Sequence, residues 1–187
     1  MKMKKINAAL GLLSIVFMLL HIGYTVYAYL TFYYNPFLKM IFAIPFMVAV
    51  CLHAVIGMIT VFTQADGTRM DLYAEQNLRT VLQRVSAALI FPLLILHINT
   101  FTLMQTCAGN GQTVFIYLLM AAELLFFATV ITHVSVSLTK GLVTLGILES
   151  RETQKKLDRI IYVIGAVVYV VAVYAVLKVQ IVMFLKG

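Results

Sequence analysis

The sequence predicts an all-α protein that crosses a membrane five times. Of its 187 residues, 63% are hydrophobic and 11% are charged, and the mean hydropathy is +1.00, which is typical of membrane proteins. A bilayer core about 30 Å thick needs about 20 apolar residues per helix. Five stretches meet this requirement, and we predict helices over 7–33, 37–63, 81–106, 113–138 and 159–185. Because little chain remains outside them, we predict that residues 1–187 form a single transmembrane domain.

Turn and breaker residues separate the predicted helices. Asn35-Pro36 predicts a very short outer turn after helix 1, and Asp66-Gly67 predicts a turn in the polar segment after helix 2. Residues 71–80 are predicted to form a short surface helix continuous with helix 3. Pro92 predicts a kink in helix 3, because proline removes a backbone hydrogen bond and clashes with the preceding turn.

The basic residues predict the orientation of these helices. Eleven of the fourteen lysines and arginines flank what would be one side of the membrane, at residues 1–5 and in the segments 64–84 and 139–159. Positive charge marks the cytoplasmic side, so we predict a multi-pass membrane protein with its N-terminus inside and its C-terminus outside. The net charge of +7 therefore indicates topology rather than nucleic-acid binding. The first apolar stretch is too long for a signal-peptide core and is expected in the mature protein.

Four histidines lie one on each of the first four predicted helices. A polar ring in hydrocarbon is costly, so an intramembrane histidine indicates a functional site. At a rise of about 1.5 Å per residue, His21 and His97 fall outside the midplane, and His53 and His133 fall inside it. Helices 1 and 3, and helices 2 and 4, are diagonal in an up-down bundle. We therefore predict that His21 and His97 hold an outer haem iron, and that His53 and His133 hold an inner one.

Alternatives to haem ligation follow from the same residues. Two histidines per level leave a zinc ion short of ligands. Cys51 and Cys107 form no CxxCH motif for covalent haem attachment. A proton relay through the histidines and Glu123 is the main rival. Glu123 is the only acid well inside an apolar stretch, and it would either exchange protons with a quinol or form a protonated contact with a neighbouring helix.

Further polar and small residues are candidates for supporting roles. Asn99 and Gln105, further out on helix 3, are candidate quinone contacts. Arg84, Lys140 and Arg159 lie at the inner boundary and either pair with haem propionates or act only as cytoplasmic charges. Small residues would leave room for a porphyrin or simply serve helix packing, and they are Gly11, Gly23 and Gly57.

The segment LQRVSAALIFPLLILH resembles the third helix of the two-haem cytochrome b subunits of succinate:quinone oxidoreductases. In that family an Arg-x-Ser start precedes a ligand histidine, corresponding to Arg84, Ser86 and His97. HAVIGM, beginning at His53, resembles the second-helix His-x-x-x-Gly of the family. THVSVSLTKGLVTLGILESRETQ resembles the fourth helix and the connection after it, with His133 as the ligand. The resemblance covers about residues 40–160.

The resemblance implies a membrane anchor of a succinate dehydrogenase or fumarate reductase. It implies two haem b groups, with Ser86 in the haem pocket, and a menaquinone or menaquinol substrate near the outer face. A flavoprotein subunit and an iron–sulfur subunit would dock on the cytoplasmic segments 64–83 and 139–159, and the dicarboxylate site would lie outside this chain. The alternatives are an anchor of another quinone-linked enzyme, such as a hydrogenase or nitrate reductase, and a haem-free proton-coupled carrier using histidine and Glu123.

Overall fold

The fold is entirely helical in the part of the chain described. The computed structural model describes residues 2–63 and 74–186, with only the backbone of 74–76. Its helices are α1 (Lys2–Thr31), α2 (Pro36–Thr63), α3 (Ala74–Gly109), α4 (Thr113–Leu145) and α5 (Arg151–Phe184). All five are long and apolar enough to cross a membrane. Within the described residues, the predicted all-α fold with five helices long and apolar enough to span a membrane is therefore confirmed.

The helices extend beyond the apolar stretches that predicted them. α1 and α3 begin five and seven residues earlier than predicted, α4 ends seven residues later, and α5 begins eight residues earlier. Apolar residues mark only the part of a helix that lies in lipid, whereas capping residues mark its ends. Gly146, with φ of 79°, ends α4, and the Ser150 side chain accepts a hydrogen bond at the start of α5. Much of the predicted polar segment 139–159 is consequently helical.

The connections agree with the predictions where the structure describes them. α1 and α2 are joined by a short turn at Asn35-Pro36, and the Tyr24 hydroxyl donates to the Asn35 carbonyl oxygen at 2.7 Å. The predicted surface helix is continuous with α3 from Ala74 onwards. The predicted Asp66-Gly67 turn and most of the predicted docking segment 64–83 lie outside the described residues.

Contacts between helices establish an up-down bundle with α4 at its centre. α4 packs against α1, α3 and α5, while α2 makes close backbone contact with α1 alone among the described residues. Within the same residues, the pairs α1–α3 and α2–α4 lie apart, as expected for diagonal helices. α2 and α3 are consecutive in the chain but make no close backbone contact among the described residues. α2 therefore stands off from α3 and α4.

A buried polar network joins three helices where α3 and α5 begin, an end of the bundle that we call the basic end. The Arg79 guanidinium contacts both carboxylate oxygens of Asp158, at 2.6 and 3.1 Å. It also donates to the Thr139 hydroxyl at 2.8 Å and to the Val136 carbonyl oxygen at 3.0 Å. Thr139 is fully buried and donates to Asp158 at 2.6 Å. The network thus fixes α3, α4 and α5 relative to one another.

Asp158→Ala is expected to destabilise the bundle strongly. Removing one partner of a buried ion pair leaves the other charge uncompensated and costs about 3–5 kcal/mol. We expect the lower end of this range, because the Arg79 side chain is 19% exposed. The measurement is the free energy of unfolding in detergent micelles. The control is Glu152→Gln, which breaks the exposed Glu152–Lys156 pair and should leave the unfolding midpoint unchanged. Equal effects of the two variants would contradict the assignment.

Candidate functional site

Two imidazole rings face each other across the gap between α2 and α4. The ring centres of His53 and His133 are 6.4 Å apart, and the ring planes are inclined at 65°. Both residues lie on helices that make no close backbone contact with each other in the described part of the chain. The two side chains thus bridge helices whose backbones stay apart, and both come from histidines that the sequence assigned to one ligand pair.

The His53 ring is fixed by α1. Its Nδ1 lies 3.1 Å from the Asn7 carbonyl oxygen, so Nδ1 carries the proton and donates it. Gly11, one turn further along α1, lies directly against the ring. A Cβ atom at Gly11 would lie 3.1 Å from His53 Cε1 and 3.3 Å from Nδ1. The close approach of α1 to His53 thus depends on glycine at this position.

The His133 ring is fixed by α3. Its Nδ1 lies 3.1 Å from the Gln83 carbonyl oxygen and 3.0 Å from the Ser86 hydroxyl oxygen. Ser86 donates its own proton to the Leu82 carbonyl oxygen at 2.6 Å, so it accepts from His133. Histidines that ligate metals usually donate their second ring N–H to such partners. In His53 and His133 alike, the proton on Nδ1 leaves the lone pair of Nε2 available as a ligand.

The ring separation suits two ligands on opposite sides of one metal ion. A metal–imidazole bond of about 2.0 Å, and a nitrogen about 1.1 Å from its ring centre, give about 6.2 Å between ring centres. The observed 6.4 Å is close to this value. The inclination of the rings is compatible, because each imidazole can rotate about its metal–nitrogen bond. The donor set at this level therefore fits a group that needs two axial imidazoles.

His97 is held by a carboxylate from α4. Its Nδ1 lies 3.1 Å from Oε1 and 3.0 Å from Oε2 of Glu123, whose side chain is only 4% exposed. Phe126 stacks on the imidazole with ring centres 4.7 Å apart, and Phe127 meets it edge-on at 5.8 Å. The Nδ1 edge and one face of His97 are therefore covered, while the side chain remains 29% exposed elsewhere.

His21 has a different environment from the other three histidines. It stacks on Phe46 with ring centres 5.5 Å apart, and its Nδ1 is buried without a hydrogen-bond partner. Within the described residues, no ring contact joins His21 to His97. The structure thus brings the rings of the predicted inner pair into contact, whereas His21 and His97 of the predicted outer pair interact electrostatically without ring contact among the described residues.

The two levels are well separated along the bundle. Glu123 and His133 are ten residues apart on α4, which corresponds to about 15 Å at 1.5 Å per residue. On α3, the corresponding residues are Ser86, which contacts His133, and His97, which contacts Glu123. They are separated by a similar distance. The contacts of α3 with α4 therefore define two polar levels inside an otherwise apolar bundle.

Of the basic residues proposed for propionates, Lys140 lies nearest to a histidine level. Its Nζ donates to the Gln83 side-chain oxygen at 3.3 Å and to the Thr80 hydroxyl at 3.1 Å. Gln83 is also the residue whose backbone carbonyl holds His133. Arg84 is half-buried on the same turn of α3, whereas the Arg159 side chain is exposed.

The predicted quinone contacts lie away from Glu123. Asn99 and Gln105 are both exposed, and the Asn99 amide donates to the Ile95 carbonyl oxygen of its own helix at 2.8 Å. Asn99 lines a shallow surface groove on α3 together with Pro92 and Leu96. Asn99 follows His97 by two positions, which is a rotation of about 200° around the helix axis at 3.6 residues per turn. The side chains of Asn99 and His97 thus point to opposite sides of α3.

Several residues that shape the site have no signal in the sequence. The acceptors for His53 and His133 include the backbone carbonyls of Asn7 and Gln83, and any residue type carries such a group. The sequence makes Gly57 a candidate for leaving space for a porphyrin, but it lies against the Asn7 side chain. A Cβ atom at Gly57 would lie 3.4 Å from Asn7 Oδ1. A Cβ atom at Gly23 would meet nothing within 4 Å.

Comparison with family models, curated proteins and solved structures finds no match to this chain.

Gly11→Ala is expected to destabilise the protein by about 1–3 kcal/mol, the usual cost of overpacking a well-packed interface. The added methyl would press on the His53 ring, whose retreat is opposed by the bond from Nδ1 to Asn7. Thermal unfolding in detergent measures the effect. Gly23→Ala makes the same change on the same helix in open space, and it should leave the unfolding midpoint unchanged or raise it, because alanine favours helix more than glycine does. A comparable loss of stability in both variants would mean that contact with His53 is not the cause.

Proposed function

We propose that this chain is a di-haem cytochrome b membrane subunit that transfers electrons between a quinone pool and a soluble redox partner. The observation that carries the proposal is the pair of imidazoles from α2 and α4, 6.4 Å apart, with both Nδ1 atoms hydrogen-bonded. Hydrogen bonding between helices accounts for each ring by itself, whereas a shared metal ion also accounts for the separation of the two rings.

The donor set favours a porphyrin over a bare ion. Among residues 2–63 and 74–186, no group of three His, Cys, Asp or Glu side chains is placed to hold a metal ion. A porphyrin brings four nitrogens and needs only two more. His53 and His133 would hold an inner haem, with Ser86 and Gln83 orienting one ligand and Asn7 the other. Lys140, with Arg84 and Arg159 as further candidates, would neutralise propionates at the basic end.

The second level would hold an outer haem between His97 and His21. His97 has the hydrogen-bonded Nδ1 of a metal ligand. α1 and α3 stand apart there, as a macrocycle between them requires. When bound, the two haems would supply one-electron chemistry across the bundle. The chain's own part is to orient the ligands, exclude water and provide a low-dielectric shell.

The working partners follow from the family resemblance of the sequence. We propose that a flavoprotein subunit and an iron–sulfur subunit bind at the basic end, on the cytoplasmic side of the bacterial inner membrane. The complex would be a quinol:fumarate reductase or succinate:quinone oxidoreductase, with menaquinone as the quinone. Glu123, Asn99 and Gln105 stay predicted contributors to quinone chemistry near the outer face.

A proton-coupled carrier without haem is the second candidate. The observation that favours it is the contact between His97 and the buried Glu123 carboxylate, since such pairs can pass protons within a membrane. The carrier has no need of the oriented inner pair, whereas the cytochrome uses both levels. The two candidates differ in whether the purified protein absorbs as a b-type cytochrome.

The reduced-minus-oxidised optical spectrum of the purified protein is expected to show b-type bands, with two haems per chain by pyridine haemochrome assay. His53→Ala and His133→Ala should each remove the same haem, and His21→Ala and His97→Ala the other, because each haem loses one of its two axial ligands. Midpoint potentials of the remaining haem identify which one is lost. A colourless wild-type protein would exclude the cytochrome and leave the carrier.

Purification of the intact complex from native membranes is expected to yield a subunit with covalent flavin and a subunit with iron–sulfur clusters. The complex should reduce fumarate with a menaquinol analogue or oxidise succinate with a menaquinone analogue, because the dicarboxylate chemistry belongs to those partners. Flavin fluorescence in denaturing gels and steady-state assays are the measurements. A two-haem protein that purifies instead with a hydrogenase or nitrate reductase subunit would assign it to another quinone-linked enzyme.

A further inference from the structure

Glu123 occupies an unusual place for a carboxylate. Its side chain is 4% exposed in the middle of an apolar helix, and both oxygens lie within 3.1 Å of His97 Nδ1. Met120, Glu123 and Phe126 are all buried on α4. Among the described residues, no hydrogen bond connects Glu123 to Asn99 or Gln105. The hydrogen bonds shown for this carboxylate therefore all lead to one imidazole nitrogen, and Tyr29 on α1 interacts with it electrostatically.

We propose that Glu123 is a positioning residue for the His97 ligand and sets the reduction potential of the outer haem through it. The inference rests on the proposed function. It assigns to Glu123 a role distinct from direct proton exchange with quinol.

The chemistry follows from which nitrogen binds iron. If Nε2 of His97 is the ligand, the ring proton is on Nδ1, and a Glu123 oxygen accepts it. A carboxylate acceptor draws this proton away from the ring and makes the imidazole a stronger electron donor. A more electron-rich ligand stabilises ferric over ferrous iron, which lowers the potential. A nearby negative charge in a low-dielectric interior acts in the same direction.

The two levels differ in this respect. His133 donates to the neutral Gln83 carbonyl and Ser86 hydroxyl, and His53 donates to the neutral Asn7 carbonyl. A hydrogen bond to a charged acceptor is roughly twice as strong as one between neutral groups. Glu123 thus distinguishes the outer level chemically from the inner one, although both use imidazole ligands.

The test is a redox titration of the purified protein, followed at the b-type bands, for wild type and Glu123→Gln. The amide keeps an acceptor oxygen but removes the negative charge. We expect the outer haem to become at least tenfold easier to reduce, which is about 59 mV for a one-electron couple, while the inner haem is unchanged. The low-spin electron paramagnetic resonance signal of the outer haem should shift as well, because the ligand field of His97 changes. The outer haem is identified as the one lost in His97→Ala.

Glu123→Asp is the second variant, and it keeps the carboxylate while withdrawing it by one methylene. It should raise the outer potential by less than Glu123→Gln does. Glu152→Gln, the same chemical change at an exposed site paired with Lys156, is the control and should move neither potential. An unchanged outer potential and signal, in whichever Glu123 variant retains the haem, would overturn the inference and favour a direct role in quinol chemistry. Absence of haem from the wild type would instead be a failure of the proposed function.

Discussion

The arrangement of this bundle depends on satisfying imidazole nitrogens inside hydrocarbon. A buried polar group without a partner costs free energy, and water is not available in the bilayer core to supply one. Three of the four histidines meet this constraint through a hydrogen bond at Nδ1. His53 bonds to the Asn7 carbonyl oxygen, His133 to Gln83 and Ser86, and His97 to Glu123. Each such bond fixes the orientation of a ring and leaves the lone pair of Nε2 available to a metal ion. The hydrogen bonds that satisfy the buried rings thus also give these histidines the proton placement that the proposed ligation requires.

Helix packing then determines where these Nε2 atoms lie in the bundle. α4 carries contacts at both levels and packs on three other helices, so it serves as the common frame. The network of Arg79, Asp158 and Thr139 fixes α3 and α5 to α4 at the basic end. The same turns of α3 supply the partners of His133 and Lys140. Among the described residues, α2 makes close backbone contact with α1 alone, and the His53 side chain extends from α2 towards His133 on α4.

The two histidine levels are unequal, and the inequality bears on how electrons would move between them. At the inner level both rings face neutral acceptors and lie at a separation suited to a shared metal ion. At the other level the carboxyl group of Glu123 holds His97, while His21 Nδ1 has no hydrogen-bond partner among the described residues. Identical ligands with different partners are a general means of giving two haems different potentials. A difference of this kind would set the direction in which an electron crosses the membrane.

The sequence alone determined the fold class, because five apolar stretches of membrane-spanning length leave the chain few alternatives. It also singled out the four histidines and Glu123, since polar residues are conspicuous against an apolar background. Helix ends were predicted less well, as at Leu145 and Arg151, because hydropathy follows lipid contact while caps such as Gly146 end the helix. The tertiary structure decided which helices are neighbours, which carbonyls hold His53 and His133, and that Glu123 meets His97. These facts depend on helix rotation and on backbone groups that every residue carries, so spacing along the chain does not encode them.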